Sequence, residues 1–246
     1  MNTITKVIFA TTLLSATSFS YANDYKTTIE YRHEYRDGTN RHGDRVKAFL
    51  DTGKNIGFEL DARYNNDQLN TMFDGMTMNG SEFSAYYYKK LTDNIMGIGG
   101  LSLDFTSQGL VYVPYARLNY RFDNGIRVQG RYKWKFWDYN QQNLNQQNYI
   151  SKIQEVDFWL GYNTNNWDFQ YEFQIWQEME GDALPQFDNK DTNYLHNFRL
   201  MYTYKTVEGT MWRPFVEWGT LAKVVILTIV KHVTVWVLNT RGNNVK

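Results

Sequence analysis

The feature that most constrains the fold is the segment from Tyr112 to Phe136, in which Asp123-Asn124-Gly125 joins two alternating stretches. Apolar and polar side chains alternate there with a period of two, which is the period of a β-strand. One face is apolar and aromatic. The other face collects six basic residues, Arg117, Arg121, Arg127, Arg131, Lys133 and Lys135. A soluble core does not bury so many charges, so the segment predicts a membrane-barrel hairpin with a cationic lumen.

The turn between the two stretches sets the expected register. A three-residue loop ending in Gly125 keeps both faces in phase, because glycine takes the left-handed conformation that is needed there. In this register Arg121 faces Arg127, and Arg117 faces Arg131. Like charges that face each other on one sheet are destabilising unless something anionic lies between them. The pattern therefore favours a transient acidic solute.

A second interpretation of the basic row is a network of salt bridges inside the lumen. A symmetric next hairpin places two acidic residues opposite two lysines, pairing Lys135 with Glu155 and Lys133 with Asp157. The same register leaves Arg131 opposite Trp159, without a carboxylate, which favours the solute interpretation. The two interpretations are compatible.

The N-terminus predicts export. Residues 1–22 contain one basic residue, Lys6, then an apolar run and a small-x-small cleavage site, Ser20-Tyr21-Ala22. The run is too short to span a bilayer as a helix. We expect a signal peptide at 1–22 and a single outer-membrane β-barrel domain at 23–246.

Eleven windows show the alternation of a strand, and most are long enough to cross a membrane when tilted. They are 25–35, 45–51, 55–65, 83–91, 95–105, 111–122, 126–136, 153–162, 167–177, 193–205 and 210–218. The fold class predicted is therefore all-β, an antiparallel transmembrane β-barrel. Barrels of this bacterial type have an even number of strands, so twelve are expected.

Short and long connections alternate between these windows. Short turns are expected at Thr52–Lys54, Thr92–Asn94, Asp123–Gly125, Asn163–Asn166 and Thr206–Gly209. The generally longer segments between them are Arg36–Asp44, Asn66–Glu82, Thr106–Leu110, Asp138–Lys152 and Glu178–Thr192. Because outer-membrane barrels keep short turns on the periplasmic side, the longer segments should be extracellular.

The C-terminal segment 224–246 is atypical. Val224–Leu238 is a β-branched run without the alternation of the other strands, and polar residues follow it to Lys246. It is the candidate twelfth strand, and the alternative is a non-native tail. An intact ending in a neighbouring reading frame would indicate a frameshift.

Composition excludes several other classes. Removing the signal peptide leaves 25 basic against 26 acidic residues, so no nucleic acid is expected as a partner. The chain has no cysteine, which excludes disulfides and metal–thiolate chemistry. None of the four histidines has metal-ligand spacing, and no spacing links Ser107, His42 and Asp44 into a catalytic set. We expect no catalytic residue, metal site or cofactor.

Several motifs together resemble one known family. They are IEYRHEY (29–35), DRVKAFL (44–50), YKKLTDN (88–94), YVPYARLNYRFDNG (112–125), GRYKWKF (130–136) and WRPFVEWG (212–219). In this order they resemble the oligogalacturonate-specific outer-membrane channels, a family that also includes a sialic-acid channel. The resemblance covers about Tyr25–Gly219. After Gly219 the chain departs from the family, whose last strand is amphipathic and ends in an aromatic residue.

The resemblance implies a monomeric twelve-stranded porin in the bacterial outer-membrane lipid, with a narrow pore lined by basic side chains through which acidic oligosaccharides diffuse. The basic-track pattern of the family matches Arg117, Arg121, Arg127, Arg131 and Lys133. By alternation, Arg45, Lys47 and Lys135 are further pore-lining candidates. Oligogalacturonate is the favoured solute; sialic acid, an outer-membrane barrel enzyme and an adhesive barrel acting through its loops are the alternatives.

Overall fold

The computed structural model describes residues 25–36, 41–66, 75–139, 141–142, 146–180, 192–205, 211–221, 224–228 and 236–239. Every regular element in these ranges is a β-strand. None of the ranges contains a helix long and apolar enough to span a bilayer. The predicted signal peptide and the turn predicted at Thr206–Gly209 lie outside the described residues.

The strands follow one another with short interruptions. Their bounds are β1 (Lys26–Arg36), β2 (Arg41–Asp51), β3 (Ile56–Asn66), β4 (Met76–Lys90), β5 (Ile95–Phe105), β6 (Leu110–Arg121), β7 (Ile126–Trp137), β8 (Gln141–Gln142), β9 (Asn148–Tyr149), β10 (Lys152–Asn163), β11 (Trp167–Glu178), β12 (Thr192–Tyr202), β13 (Tyr204–Lys205), β14 (Met211–Trp212), β15 (Phe215–Leu221), β16 (Val224–Thr228) and β17 (Trp236–Asn239).

One antiparallel sheet contains thirteen of these strands, in the order β16-β15-β12-β11-β10-β7-β6-β5-β4-β3-β2-β1-β17. Strand β16 pairs with β15 and also with β1, so the sheet curls round and returns to its first strand. The all-β antiparallel fold is confirmed. The four short strands that remain form two small sheets, β8 with β9 and β13 with β14.

The closing seam is shared by β16 and β17, which both pair with β1. Ile226 pairs with Arg36, and Trp236 pairs with Ile29. The described residues of the run predicted as a twelfth strand thus pair with β1 near both of its ends, and the count of twelve stays a prediction.

Alternation sorts the side chains of the sheet into two faces. Outward residues of β6 and β7 such as Leu118 and Trp134 are exposed, and Leu118 keeps 57% of its surface. Residues of the opposite parity point inward, where Val113 is buried. An apolar outer face and a charged inner face invert the arrangement of a soluble protein.

The β6–β7 hairpin has the register that the turn predicts. Arg117 pairs with Arg131, and Arg121 pairs with Arg127. Gly125 has φ of 89°, a conformation that side chains with a Cβ rarely adopt. The two like-charged pairs on the inner face are therefore real features of the sheet.

The register expected between β7 and β10 is wrong by two residues. Lys133 pairs with Glu155, and Arg131 pairs with Asp157, whereas Trp159 pairs with Gln129. A shift of two leaves every side chain on its original face, so alternation cannot detect it. Arg131 consequently does have a carboxylate opposite it.

Several strand ends also differ from the predicted windows. Strand β2 begins at Arg41 and β4 at Met76, so both strands extend into segments predicted as loops. The extension of β4 contains a register shift opposite Arg63 and Tyr64, and such irregularities break the period of two. The window 210–218 is split into β14 and β15 by Arg213 and Pro214, because proline cannot donate to a ladder.

Candidate functional site

The curled sheet encloses a cavity of about 570 Å³ whose wall is dominated by charged side chains. Nine of the lining residues are basic, namely Arg32, Arg45, Lys47, Arg63, Arg117, Arg131, Lys133, Lys135 and Arg199. Seven are acidic, namely Glu30, Glu59, Glu82, Asp104, Glu155, Glu172 and Glu217. We call this space the central cavity. Its wall carries both signs of charge.

The structure distributes the predicted site residues between two spaces. Six of them line the central cavity: Arg45, Lys47, Arg117, Arg131, Lys133 and Lys135. The other two, Arg121 and Arg127, line a second, smaller cavity. All eight project from the inner face, as alternation predicts. Their role as a path for solute stays a prediction.

Most cations of the central cavity are held by neighbouring carboxylates. The contacts are Arg45 Nε to Asp61 Oδ2 at 2.8 Å, Lys47 Nζ to Glu59 Oε1 at 2.6 Å, Arg131 Nε to Asp157 Oδ2 at 2.6 Å, and Lys133 Nζ to Glu155 Oε1 at 2.6 Å. Lys135 also pairs with Glu155. The salt-bridge interpretation of the basic row is therefore correct for these residues.

Glu155 and Asp157 contact the basic residues of β7 directly and are buried. They therefore neutralise their immediate neighbours. Glu172 differs, because it accepts hydrogen bonds from Gln174 and Asn197. Its charge remains available to the cavity.

Arg117 is the exception among the basic residues of β6 and β7 in this cavity. Its Nε donates to Asn119 Oδ1 at 2.8 Å, and its Nη2 donates to Gln129. Its guanidinium carbon lies 5.0 Å from the ring centroid of Trp159, and that of Arg131 lies 4.9 Å from the same ring. Within the part of the chain that the structure describes, Arg117 forms no ion pair with a carboxylate.

Neutral partners hold the Arg117 guanidinium in place and leave its charge uncompensated. Amide oxygens orient two of its N–H groups, and the indole face attracts it by a cation–π interaction. Directly across the sheet, Arg131 adds a second positive charge. Arg117 therefore faces a like charge on the sheet and has no carboxylate partner among the described residues.

Sequence reasoning missed four basic residues of these walls and placed Trp159 in the wrong register. Arg32, Arg63 and Arg199 alternate inward on their strands, so the same period would have found them. Arg213 has the same parity as the cavity-lining Glu217 within the window 210–218, so the period of two would have found it as well. Trp159 occupies an inward position on β10, and its contact with both arginines depends on the register.

The histidines do not form a metal site in the described residues, where no group of three potential ligands could hold a metal ion. His33 Nδ1 lies 3.0 Å from Asp44 Oδ1, and His33 Nε2 lies 3.1 Å from His42 Nδ1. By alternation, the side chains of this cluster point to the face of the sheet opposite to that of the cavity-lining Arg32. It belongs to the outer face of the sheet, near the connection between β1 and β2.

Comparison with known proteins shows close relationships. The family model described as "Oligogalacturonate-specific porin protein (KdgM)" matches residues 20–226. A protein of Salmonella typhimurium named "Uncharacterized protein YiiY" is 26% identical over 202 residues, which cover 81% of this chain and 83% of that one. The N-acetylneuraminic acid outer membrane channel protein NanC of Escherichia coli is 25% identical over 198 residues, covering 79% of each chain.

Solved structures agree on the fold. The NanC porin superposes with a TM-score of 0.69 at 17% identity, covering 82% of this chain and all of that one. The KdgM porin superposes with a TM-score of 0.59 at 19% identity, covering 86% of this chain and 98% of that one. Because the matching family model describes a porin, the enzyme alternative is set aside. The family match spans most of the chain, and this protein therefore belongs to the oligogalacturonate-specific porin family of the bacterial outer membrane.

Proposed function

We propose that the protein is a passive channel through which acidic oligosaccharides, oligogalacturonate foremost, cross the outer membrane. The observation that carries this proposal is Arg117, a lumen guanidinium held by amides and an indole ring and lacking a carboxylate among the described residues. A carboxylate of the solute supplies what that site lacks. A solved KdgM porin in complex with disordered oligogalacturonate supports the choice of solute.

The proposed path uses the eight predicted basic residues in different ways. Arg45, Lys47, Arg131, Lys133 and Lys135 are already paired, so they contribute a basic surface and not free binding sites. A solute carboxylate competes with the resident carboxylates for them. Contacts of this kind are weak and repeated, which favours passage because a tightly held solute cannot leave.

The outer face supports the proposed lipid environment. Exposed aliphatic side chains recur on many strands, including Leu60, Leu101, Leu118, Leu160 and Val216. A belt of this kind suits the hydrocarbon of the bilayer. Since the sheet returns to its own first strand, we propose that a monomer forms the working barrel in the outer-membrane lipid.

Single-channel recording tests the proposal directly. Residues 23–246 are refolded into a planar bilayer, and oligogalacturonate or a neutral oligosaccharide of similar size is added. We expect current steps that the acidic sugar interrupts and the neutral sugar leaves unchanged. Equal interruption by both sugars would contradict the basic-path mechanism. A folded barrel that carries no current would favour the adhesive alternative.

A matched pair of variants isolates Arg117. Arg117→Gln should weaken oligogalacturonate binding about tenfold, which corresponds to roughly 1.4 kcal/mol and to the loss of one charge-assisted contact. Lys54→Gln removes one charge from an exposed turn outside both cavities and should change nothing. Identical blocking by the two variants would exclude Arg117 as the contact.

Sialic acid is the second candidate solute, favoured by the structural likeness to the NanC porin. Both solutes carry carboxylates on polar rings, so Arg117 suits either one. Adding sialic acid and oligogalacturonate in turn to the same single channel distinguishes them. We expect longer interruptions with oligogalacturonate, and the reverse order would reassign the channel to sialic acid.

A further inference from the structure

A second cavity of about 360 Å³ lies at the short-turn end of the sheet and shares no lining residue with the central cavity. This position is shown by two of its lining residues, Gly125 in the β6–β7 turn and Asn165 in the β10–β11 turn. The remaining lining residues are Arg121, Arg127, Asn163, Asp168, Thr203, Met211 and Arg213. We call this space the turn-end cavity. Its wall is polar, and it brings together three strand pairs distant in sequence.

The charges of the turn-end cavity do not balance. Three arginines face a single carboxylate, that of Asp168, which is fully buried. Arg127 Nη2 lies 2.5 Å from Asp168 Oδ1, and Arg213 Nη2 lies 3.3 Å from Asp168 Oδ2. Arg121 pairs across the sheet with Arg127 and forms no ion pair in the described part of the chain. The lining therefore has an excess of two positive charges.

The arginine cluster is also short of hydrogen-bond acceptors. The Nε atoms of Arg127 and Arg213 are buried without a hydrogen-bond partner. Unsatisfied buried donors are costly, and like charges facing each other on one sheet repel. An added group with two or more anionic oxygens would reduce both costs, since guanidinium groups match carboxylate and phosphate geometry.

The backbone makes room for this cluster. A Cβ atom at Gly161 would lie 2.7 Å from Nη2 and 3.0 Å from Nε of Arg127. Glycine at this position therefore lets the guanidinium lie flat against β10. Arg213 lies with Pro214 in the two-residue interruption between β14 and β15, and its Nη2 contacts Asp168.

We propose that the turn-end cavity is a separate binding site for one oxyanion group, a carboxylate or a phosphate. Its role as the last contact of a passing acidic sugar rests on the proposed channel function, whereas oxyanion binding itself does not. Under that function, the solute passes from Arg117 in the central cavity to the arginines of the turn-end cavity. On the expected orientation of the barrel, this second site faces the periplasm.

Binding is measured without any current, by titration calorimetry on the refolded chain in detergent. Arg117→Gln is the background for every sample, so that the main anion contact of the central cavity is removed. Galacturonate monomer and inorganic phosphate are titrated separately, and their relative affinities distinguish a sugar-acid site from a phosphate site. We expect saturable binding of at least one of them.

Three further substitutions locate the site. Arg213→Gln should weaken binding at least tenfold, and Lys54→Gln, on an exposed turn at the same end, should leave it unchanged. Gly161→Ala displaces the Arg127 guanidinium without changing the charge and should also weaken binding, which keeps the test decisive if Arg213→Gln fails to fold. Equal affinity in all three variants, or no saturable binding in the background, would overturn the proposal.

The channel proposal and this site can fail independently. If oligogalacturonate blocks Arg117→Gln and Lys54→Gln channels equally while calorimetric binding is retained, the channel mechanism is rejected and the oxyanion site is kept. Retained blocking by oligogalacturonate, with no calorimetric binding, would reject the site and keep the channel. In the second case the cluster is a structural feature of the turn end.

Discussion

The seam between β7 and β10 and the closing seam along β1 both join neighbouring strands of the barrel, but their pairing differs. The first pairs eleven consecutive residues and adds ion pairs between lysine, arginine and buried carboxylates. In the second, the described residues of β16 and β17 pair with β1 in two different registers. The alternating strands β7 and β10 keep one register throughout, whereas the β-branched run without alternation does not.

The largest expected effect comes from removing β17. Deletion of residues 236–246 leaves Lys26–Ile29 without partners on one edge, and unsatisfied backbone groups in lipid cost several kcal/mol each. We expect loss of the folded barrel, seen as loss of the mobility shift of unheated protein on a denaturing gel. Deletion of residues 240–246 alone is the control and should keep the shift. A folded barrel after the longer deletion would show that this seam is dispensable.

A smaller but still large effect is expected in the β7–β10 seam. Asp157 is fully buried and contacts Arg131 at 2.6 Å and Lys133 at 3.4 Å. Asp157→Ala leaves Arg131 without a carboxylate, whereas Lys133 keeps Glu155. The substitution should lower the free energy of unfolding by about 3 kcal/mol, as for other broken buried pairs. Equilibrium unfolding in guanidinium chloride measures the change.

The control for Asp157 is the exposed ion pair of Lys90 and Asp93 in the β4–β5 turn, with Nζ 2.9 Å from Oδ1. Asp93→Ala should leave the unfolding midpoint unchanged, because pairs in water contribute little. Equal effects at both positions would mean that lumen water screens the Asp157 cluster as bulk water screens the turn.

The smallest expected effects come from alanine substitutions of two glycines, one beside the closing seam and one in the β7–β10 seam. A Cβ at Gly219, on β15 next to the closing seam, would lie 2.9 Å from the backbone oxygen of His196. Gly219→Ala should therefore destabilise the barrel by about 2 kcal/mol. A Cβ at Gly130, on β7, meets nothing within 4 Å, so Gly130→Ala should be neutral or stabilise by about 0.5 kcal/mol. The same unfolding experiment ranks the two, and the reverse order would contradict this packing argument.

Much of the sheet follows from the alternation of side chains. The strand windows, the two faces and the register of the β6–β7 hairpin were predicted, because a short turn ending in Gly125 fixes how its strands pair. The β7–β10 register was not, since the long connection from Asp138 to Lys152 imposes no turn geometry. A two-residue shift also leaves the pattern of faces unchanged.

The candidate site was predicted as a set of basic residues but not as a pattern of pairing. Alternation places Arg117 and Arg131 on the inner face, yet only the true register shows that Asp157 holds Arg131 and that Arg117 lacks a carboxylate among the described residues. Arg213 has the inward parity of Glu217, yet its contact with Asp168 of a distant strand cannot be read from that parity. Long-range neighbours of this kind depend on the closed sheet.

The sharing of carboxylates in the central cavity has a consequence for how such proteins diverge. Asp61 contacts Arg45 and Lys47, and Glu155 contacts Lys133 and Lys135. Exchanging Asp61 for its amide leaves Arg45 without a carboxylate, and exchanging Glu155 leaves Lys135 without one, with little change in side-chain volume. A barrel of this kind holds latent positive charge, so its preference for anions can evolve by the loss of acidic residues as readily as by the gain of basic ones.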